Sequence, residues 1–210
     1  MSGWILLSGG NEFSDSYAEA DLAALDKRVN KTNPLLVVVT APYPTQHLAY
    51  EAAKKHFAKI GIKTLMSPIL SEDDLSTENI DQIANADSIY FAGGTPARLI
   101  KSFIDTKAET ALKTALAKGC VVMGSSAGAM LMGCKVVMPG GSEIGRGLDF
   151  LPNQIVIPHF ESGFPTWTQK FHAQGFGLVG LAEGSSLLTS VTSTPSPVEY
   201  GPVKYLEINN

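Results

Sequence analysis

Residues 121–130 read Val121-Val122-Met123-Gly124-Ser125-Ser126-Ala127-Gly128-Ala129-Met130. A short apolar run stops at a glycine, a serine occupies the centre of G-x-S-x-G, and an alanine-rich helical pattern begins at once. This is the sequence form of a nucleophile elbow, a sharp turn that lifts a serine hydroxyl above the end of a strand. Only Ser126 fits, because Ser125 has Met123 and Ala127 where the glycines belong. The glycines have a physical reason: the turn forces its central residue into an unfavourable backbone region and leaves no room for side chains beside it. Five residues alone do not separate this from an ordinary strand-to-helix turn with small residues for close packing, so the surrounding chain decides.

Upstream, strand and helix patterns alternate. Trp4 to Leu7 reads as a strand ending in Ser8-Gly9-Gly10-Asn11-Glu12-Phe13, and Tyr17 to Arg28 has helical spacing. Leu35 to Thr40 is nearly all apolar, as a strand buried on both faces should be. Ala41-Pro42-Tyr43-Pro44 then turns into a helix running to about Ile60. Thr64 to Ser67 is a short strand, Ser71 caps an acidic first turn, and Thr77 to Asn85 is helical. Ser88 to Ala92 is a strand closed by Gly93-Gly94-Thr95-Pro96, and helices over about 97–104 and 109–118 lead to the elbow strand. This alternation predicts a three-layer α/β sandwich with a mostly parallel central sheet. Ligands of such sheets bind outside the carboxyl ends of the strands, so Gly9-Gly10, Ala41-Pro42, Gly93-Gly94 and the elbow should meet along one edge.

Downstream the pattern changes. Pro139-Gly140-Gly141-Ser142 reads as a loop, Gln154 to Pro158 as a short strand, and Phe164 to Gln174 as helical. Leu178 to Leu181 and Ser186 to Thr192 are apolar, and Val198 to Tyr200 with Val203 to Ile208 reads as a C-terminal β-hairpin about Gly201-Pro202.

Size and charge bound the function. The 210 residues suit one domain over 1–210, with 44% hydrophobic and 17% charged residues. A formal net charge of −4 argues against a nucleic-acid or anionic-membrane surface, and no apolar run approaches a bilayer span. The start, MSGWILLSGG, has an apolar core of four residues and no basic flank, so it reads as a buried strand and not a signal peptide. Cys120 and Cys134 are accordingly expected to be reduced packing residues of a cytoplasmic protein.

A serine nucleophile needs a base and donors for the oxyanion. His47, His56 and His172 lie in lysine-rich or polar helical stretches and are expected to be solvated. His159 follows Ile155-Val156-Ile157-Pro158, at the end of a buried strand on the elbow's side, and is the candidate base. The N–H of Ala127, next after the nucleophile, is one expected oxyanion donor. Gly93-Gly94 is suited to supply a second through its backbone, and Gly93 is also a candidate substrate contact.

The elbow GSSAGAM, the upstream FAGGTPARLI, GLDFLP followed by PHF, and GLAEGSSL together resemble peptidase family S51, which includes dipeptidase E and cyanophycinase. The similarity runs over roughly residues 4 to 192. The resemblance implies a fold like that of the class I glutamine amidotransferases (flavodoxin-like), with serine where those enzymes carry cysteine. It implies a serine peptidase acting on short peptides with Ser126 as nucleophile, His159 as base, and Gly94 with Ala127 at the oxyanion hole. Three carboxylates are candidates for the acid. Glu183 matches the acidic position of cyanophycinase-like members, and Glu161 has the H-x-E spacing of class I amidotransferases. In the loop where dipeptidase E carries its aspartate this chain has Gly141 near that place and only Glu143 close by, so the dipeptidase acid is not matched.

The chain departs from the family in a second place. After the histidine, dipeptidase E and cyanophycinase patterns carry arginines suited to a substrate carboxylate, but this segment is ESGFPTWTQKFHAQ. Arginine holds a carboxylate bidentately and lysine does not, so strict aspartyl specificity is not expected. Phe164 and Trp167 fit an apolar subsite and the hydrophobic core equally well. No metal or organic cofactor is implied, since no histidine and carboxylate spacing resembles a ligand set. The expected partner is a short peptide, with a homodimer as the oligomeric option. The rival reading is an amidotransferase-like binding or regulatory module in which Ser126 is idle.

Overall fold

The computed structural model describes residues 3–41, 44–192 and 195–208. Pro42 and Tyr43 of the predicted turn lie outside the described residues. In chain order the elements are β1 (Trp4–Ser8), α1 (Ala18–Leu25), β2 (Leu35–Val38), α2 (Thr45–Lys59), β3 (Thr64–Met66), α3 (Thr77–Ala84), β4 (Ser88–Phe91), α4 (Pro96–Phe103), α5 (Lys107–Ala117), β5 (Val121–Ser125) and α6 (Ala127–Met132). They continue with β6 (Lys135–Met138), β7 (Ser142–Arg146), β8 (Gln154–Ile157), α7 (Gln169–Ala173), β9 (Gly177–Leu181), β10 (Ser186–Ser190), β11 (Val198–Tyr200) and β12 (Val203–Leu206).

The main sheet has the order β11-β10-β1-β5-β4-β2-β3. Its β1, β5, β4, β2 and β3 run parallel, and β10 and β11 join antiparallel beyond β1. The period-two alternation of strand side chains divides two cores between its faces. Ile5, Leu7, Val38, Ile89, Phe91 and Val122 pack with residues of α4 and α5 on one face. Leu6, Val37, Tyr90 and Met123 pack with Ala24 of α1 and Phe57 of α2 on the other. Helices therefore cover both faces, as the alternating pattern predicts. Phe57, Phe91 and Phe103 are wholly buried; truncating any one to alanine would cost about 3–5 kcal/mol.

The order puts β1, β5 and β4 side by side, so their carboxyl-end loops, Gly9-Gly10, the elbow and Gly93-Gly94, are neighbours. Beyond α6 the chain builds two smaller sheets. β6 and β7 form an antiparallel hairpin with an irregularity between Val136 and Val137. It surrounds the Pro139-Gly140-Gly141 turn, whose flanking strands the sequence pattern did not reveal. β8 pairs in parallel with β9, and β12 with β9 antiparallel, as a separate three-stranded sheet. Thus β8, and the His159 that follows it, do not belong to the sheet that carries the elbow.

Both expected C-terminal strands form on either side of Gly201, but they pair outward instead of with each other. β11 extends the main sheet on β10 and β12 extends the small one on β9. The turn thereby ties the two sheets together.

Candidate active site

The elbow forms where the sequence places it. Ser126 sits between β5 and α6 with φ 49° and ψ −112°, close to the first central position of a type II′ turn, which favours glycine. Its N–H donates to the carbonyl of Ser8 on β1 (3.1 Å), and its own carbonyl accepts from Met130 N–H (3.0 Å). Both motif glycines answer to packing. A Cβ on Gly124 would come within 2.6 Å of the Gly128 backbone, and one on Gly128 within 2.2 Å of the Phe91 carbonyl oxygen. The helix can then lie directly on β5 and β4, which holds the serine in its strained conformation.

The Ser126 hydroxyl is 2.9 Å from Nε2 of His159, and His159 Nδ1 is 2.7 Å from Glu183 Oε1. The histidine reaches the elbow through loops from different sheets. Its N–H donates to the Gly9 carbonyl at 2.7 Å, and the next N–H, of Phe160, donates to Leu181 of β9 at 3.0 Å. Its φ of 53° places it in the left-handed region. Gly10, at φ 115°, lies against the imidazole so closely that a Cβ there would be 2.1 Å from Cε1.

The other carboxylates are elsewhere. Glu161 is exposed and makes no bond to His159, both of whose ring nitrogens are occupied. Glu143 lies on β7 and pairs with Lys135 across the hairpin at 2.8 Å.

Two residues that the sequence reading did not single out connect these loops. Glu12, in the loop after β1, accepts from Gly93 N–H through Oε1 (2.8 Å) and from the Ser125 hydroxyl through Oε2 (3.1 Å). Gly93 is therefore bound to Glu12 and does not line the cavity beside Ser126. Tyr17 donates its hydroxyl to the Gly10 carbonyl and accepts from Gly184 N–H at 2.7 Å. Burial pushes its phenol above the ordinary value, keeping it a neutral donor. One hydroxyl thus couples the loop behind His159 to the loop that carries Glu183. The available signal was position: both follow a strand that ends on the ligand edge. Replacing Glu12 with alanine would leave the Gly93 N–H and the Ser125 hydroxyl without their acceptor, at a cost of about 1–3 kcal/mol. A lowered midpoint of thermal unfolding, partly restored in Glu12→Gln, is the expected measurement.

A cavity of about 330 Å³ opens at Ser126 and His159, bordered by Gly94, Ala127 and Trp167. As the first residue of α6, Ala127 has an N–H in the turn that lacks intrahelical acceptors. Phe164 instead packs on Phe160, with ring centroids 4.9 Å apart. Of the remaining histidines, His47 is exposed, as expected. His56 is not: it is 3% exposed, with Nε2 2.7 Å from Asp21 Oδ2. That face of α2 turns inward toward α1, where a carboxylate satisfies the ring. Burial raises the Asp21 carboxyl from its ordinary value, and His56 opposes the shift.

Cys120 is buried and Cys134 half-buried, both as free thiols. Among the described residues no three His, Cys, Asp or Glu side chains converge as a metal site, and no helix is long and apolar enough to cross a membrane.

Fold and site together define an α/β protein of flavodoxin-like architecture that carries a serine on a strained strand-to-helix turn. The chain belongs to peptidase family S51, which it matches over residues 4–193, and membership makes it a peptidase. No curated protein sequence matches it. Among solved structures it is similar to a peptidase from an acI-B1 actinobacterium, with a TM-score of 0.79, 20% identity, and 100% of this chain and 96% of that one covered. It is also similar to a protein of Listeria monocytogenes EGD-e named after peptidase E, with a TM-score of 0.64, 16% identity and 100% of both chains covered. At these identities the likeness bears on the fold.

Proposed function

We propose that this peptidase is a cytoplasmic serine-type enzyme, related to dipeptidase E, that hydrolyses short peptides through Ser126, His159 and Glu183. The observation that carries the proposal is the pair of hydrogen bonds linking hydroxyl, imidazole and carboxylate at the mouth of the cavity. With its proton on Nδ1, donated to Glu183, His159 presents a free electron pair on Nε2 to the serine hydroxyl. His159 takes that proton as Oγ attacks the scissile carbonyl carbon. The oxyanion then accepts from the N–H groups of Ala127 and Gly94. On collapse the carbon–nitrogen bond breaks and the departing amine takes the proton from His159. Water, activated by the same imidazole, then cleaves the acyl-serine ester. The two free thiols fit a reducing compartment.

A fluorophosphonate probe tests the reading directly. Labelling of the native protein that is lost in Ser126→Ala and in His159→Ala supports it. No labelling, under conditions that label a control serine hydrolase, leaves only a binding module. The close fit of Gly10 to the imidazole gives a further expectation. Gly10→Ala should displace the ring and lower kcat/KM by about 10²-fold or more, since an ångström of misplacement is enough for that. Unchanged kinetics in that variant would show that His159 does not need its present position.

A further inference from the structure

The cavity at Ser126 is apolar except at one end. Its walls are Met130, Val137, Met138, Ile157, Pro165 and Trp167, and its polar groups are gathered at Ser126 and His159 and at the peptide groups of Gly94 and Ala127. The walls come from packed elements: the end of α6, the end of β6, and the segments on either side of His159. The tip of the β6–β7 hairpin closes on the Trp167 segment, where a Cβ on Gly141 would stand 3.1 Å from Trp167 Cβ. Lys170 Nζ donates to the Gly141 carbonyl at the same place.

No lysine or arginine lines this cavity among the described residues; Lys170, beside the Trp167 wall, is held on the Gly141 carbonyl, and the arginines are engaged away from it. Arg28 is 6% exposed and donates to the carbonyls of Leu25, Lys31 and Asn33. Arg146 is bound to Asp105 and Glu109. Burial opposes ionisation of Glu109, but Arg146 and Lys113 hold its carboxyl down to about 2. Arg98 lies beside Leu70 to Asp73. Lys170 rests over the Phe171 ring, 4.7 Å from its centroid, and Lys135 pairs with Glu143. The carboxylates of the site stand behind it and do not line the cavity: Glu12 is bound to Gly93 and Ser125, and Glu183 to His159. An acidic side chain entering here would meet apolar walls and no lysine or arginine to pair with. An aliphatic or aromatic side chain would lose only its contact with water, and each buried methylene in such a pocket discriminates about 10- to 200-fold.

We propose that the substrates are short peptides with a leucine-, methionine- or phenylalanine-like side chain flanking the scissile bond, and that acidic residues there are rejected. The proposal rests on Ser126 being the nucleophile. Two dipeptide series, X-Ala and Ala-X with X as Leu, Met, Phe, Ala, Asp or Glu, are measured for kcat/KM. The same dipeptides are measured for the concentration that protects Ser126 from a fluorophosphonate probe, a readout that does not need turnover. In at least one series the apolar members are expected to exceed the Asp and Glu members at least tenfold, in turnover or in protection. Met138→Arg, which puts a cation into the half-buried wall, should move the Asp-to-Leu ratio upward at least tenfold while probe labelling persists. Labelled, active enzyme with equal or higher efficiency on Asp and Glu overturns this specificity and leaves the serine mechanism standing. A labelled, folded Met138→Arg protein with an unchanged ratio shows that the cavity does not receive that side chain. A protein that neither labels nor turns over any member removes the serine reading and this one together.

Discussion

Replacing Ser126 with alanine is expected to lower peptidase kcat/KM by about 10⁴- to 10⁶-fold, because the members of such a unit act together and loss of the nucleophile removes the covalent route. The fold should persist, since Gly124, Gly128 and the helix they seat on the sheet are untouched. The backbone at this position adds a sharper expectation. At φ 49° and ψ −112° both serine and alanine are strained, whereas glycine occupies this region freely. Ser126→Gly should therefore be as inactive as Ser126→Ala but more stable by about 1–3 kcal/mol, the usual size of such strain. The two variants compared by thermal unfolding and by turnover separate the two effects. Equal stability of alanine and glycine here would mean that the elbow stores no strain, and full activity in either would exclude Ser126 as the nucleophile.

The second large effect is expected at Glu183. Glu183→Gln keeps the shape and the hydrogen-bonding oxygen but removes the charge that stabilises imidazolium, so kcat should fall with little change in KM. The pair is half exposed, with side-chain exposures of 47% for His159 and 54% for Glu183. On the proposed mechanism water would share the carboxylate's work. A loss on the order of 10²-fold or more is expected, short of the roughly 10⁴-fold of a buried triad acid. Glu161→Gln and Glu143→Gln, both away from the imidazole, should stay within a factor of about two to three of native, as surface substitutions do. A larger loss at Glu161 than at Glu183 would reassign the acid.

The parts of the site that the sequence made legible are those whose chemistry is local. The G-x-S-x-G run identified the elbow at one position, and the double glycine at 93–94 marked a loop on the same edge. The hairpin of β6 and β7 was missed because β7, Ser-Glu-Ile-Gly-Arg, is mostly exposed and carries no apolar alternation. His56 was misread because its lysine neighbours on α2 point outward while its own face turns in. Glu12 and Tyr17 had no motif, and their importance lies in bonds across 81 and 167 residues, to Gly93 and Gly184.

The sequence by itself determined the alternating layers and the serine on its turn, because periodicity and backbone strain are properties of a few consecutive residues. It also limited the supply of arginine for an acidic substrate. Only the tertiary structure decided which carboxylate meets His159, since that depends on where β8 and β9 pair and how their loops meet Gly9 and Gly10. The same is true of the cavity walls. Residues from 130 to 167 surround one serine only after the hairpin, the small sheet and the main sheet have packed, and no local pattern encodes that convergence.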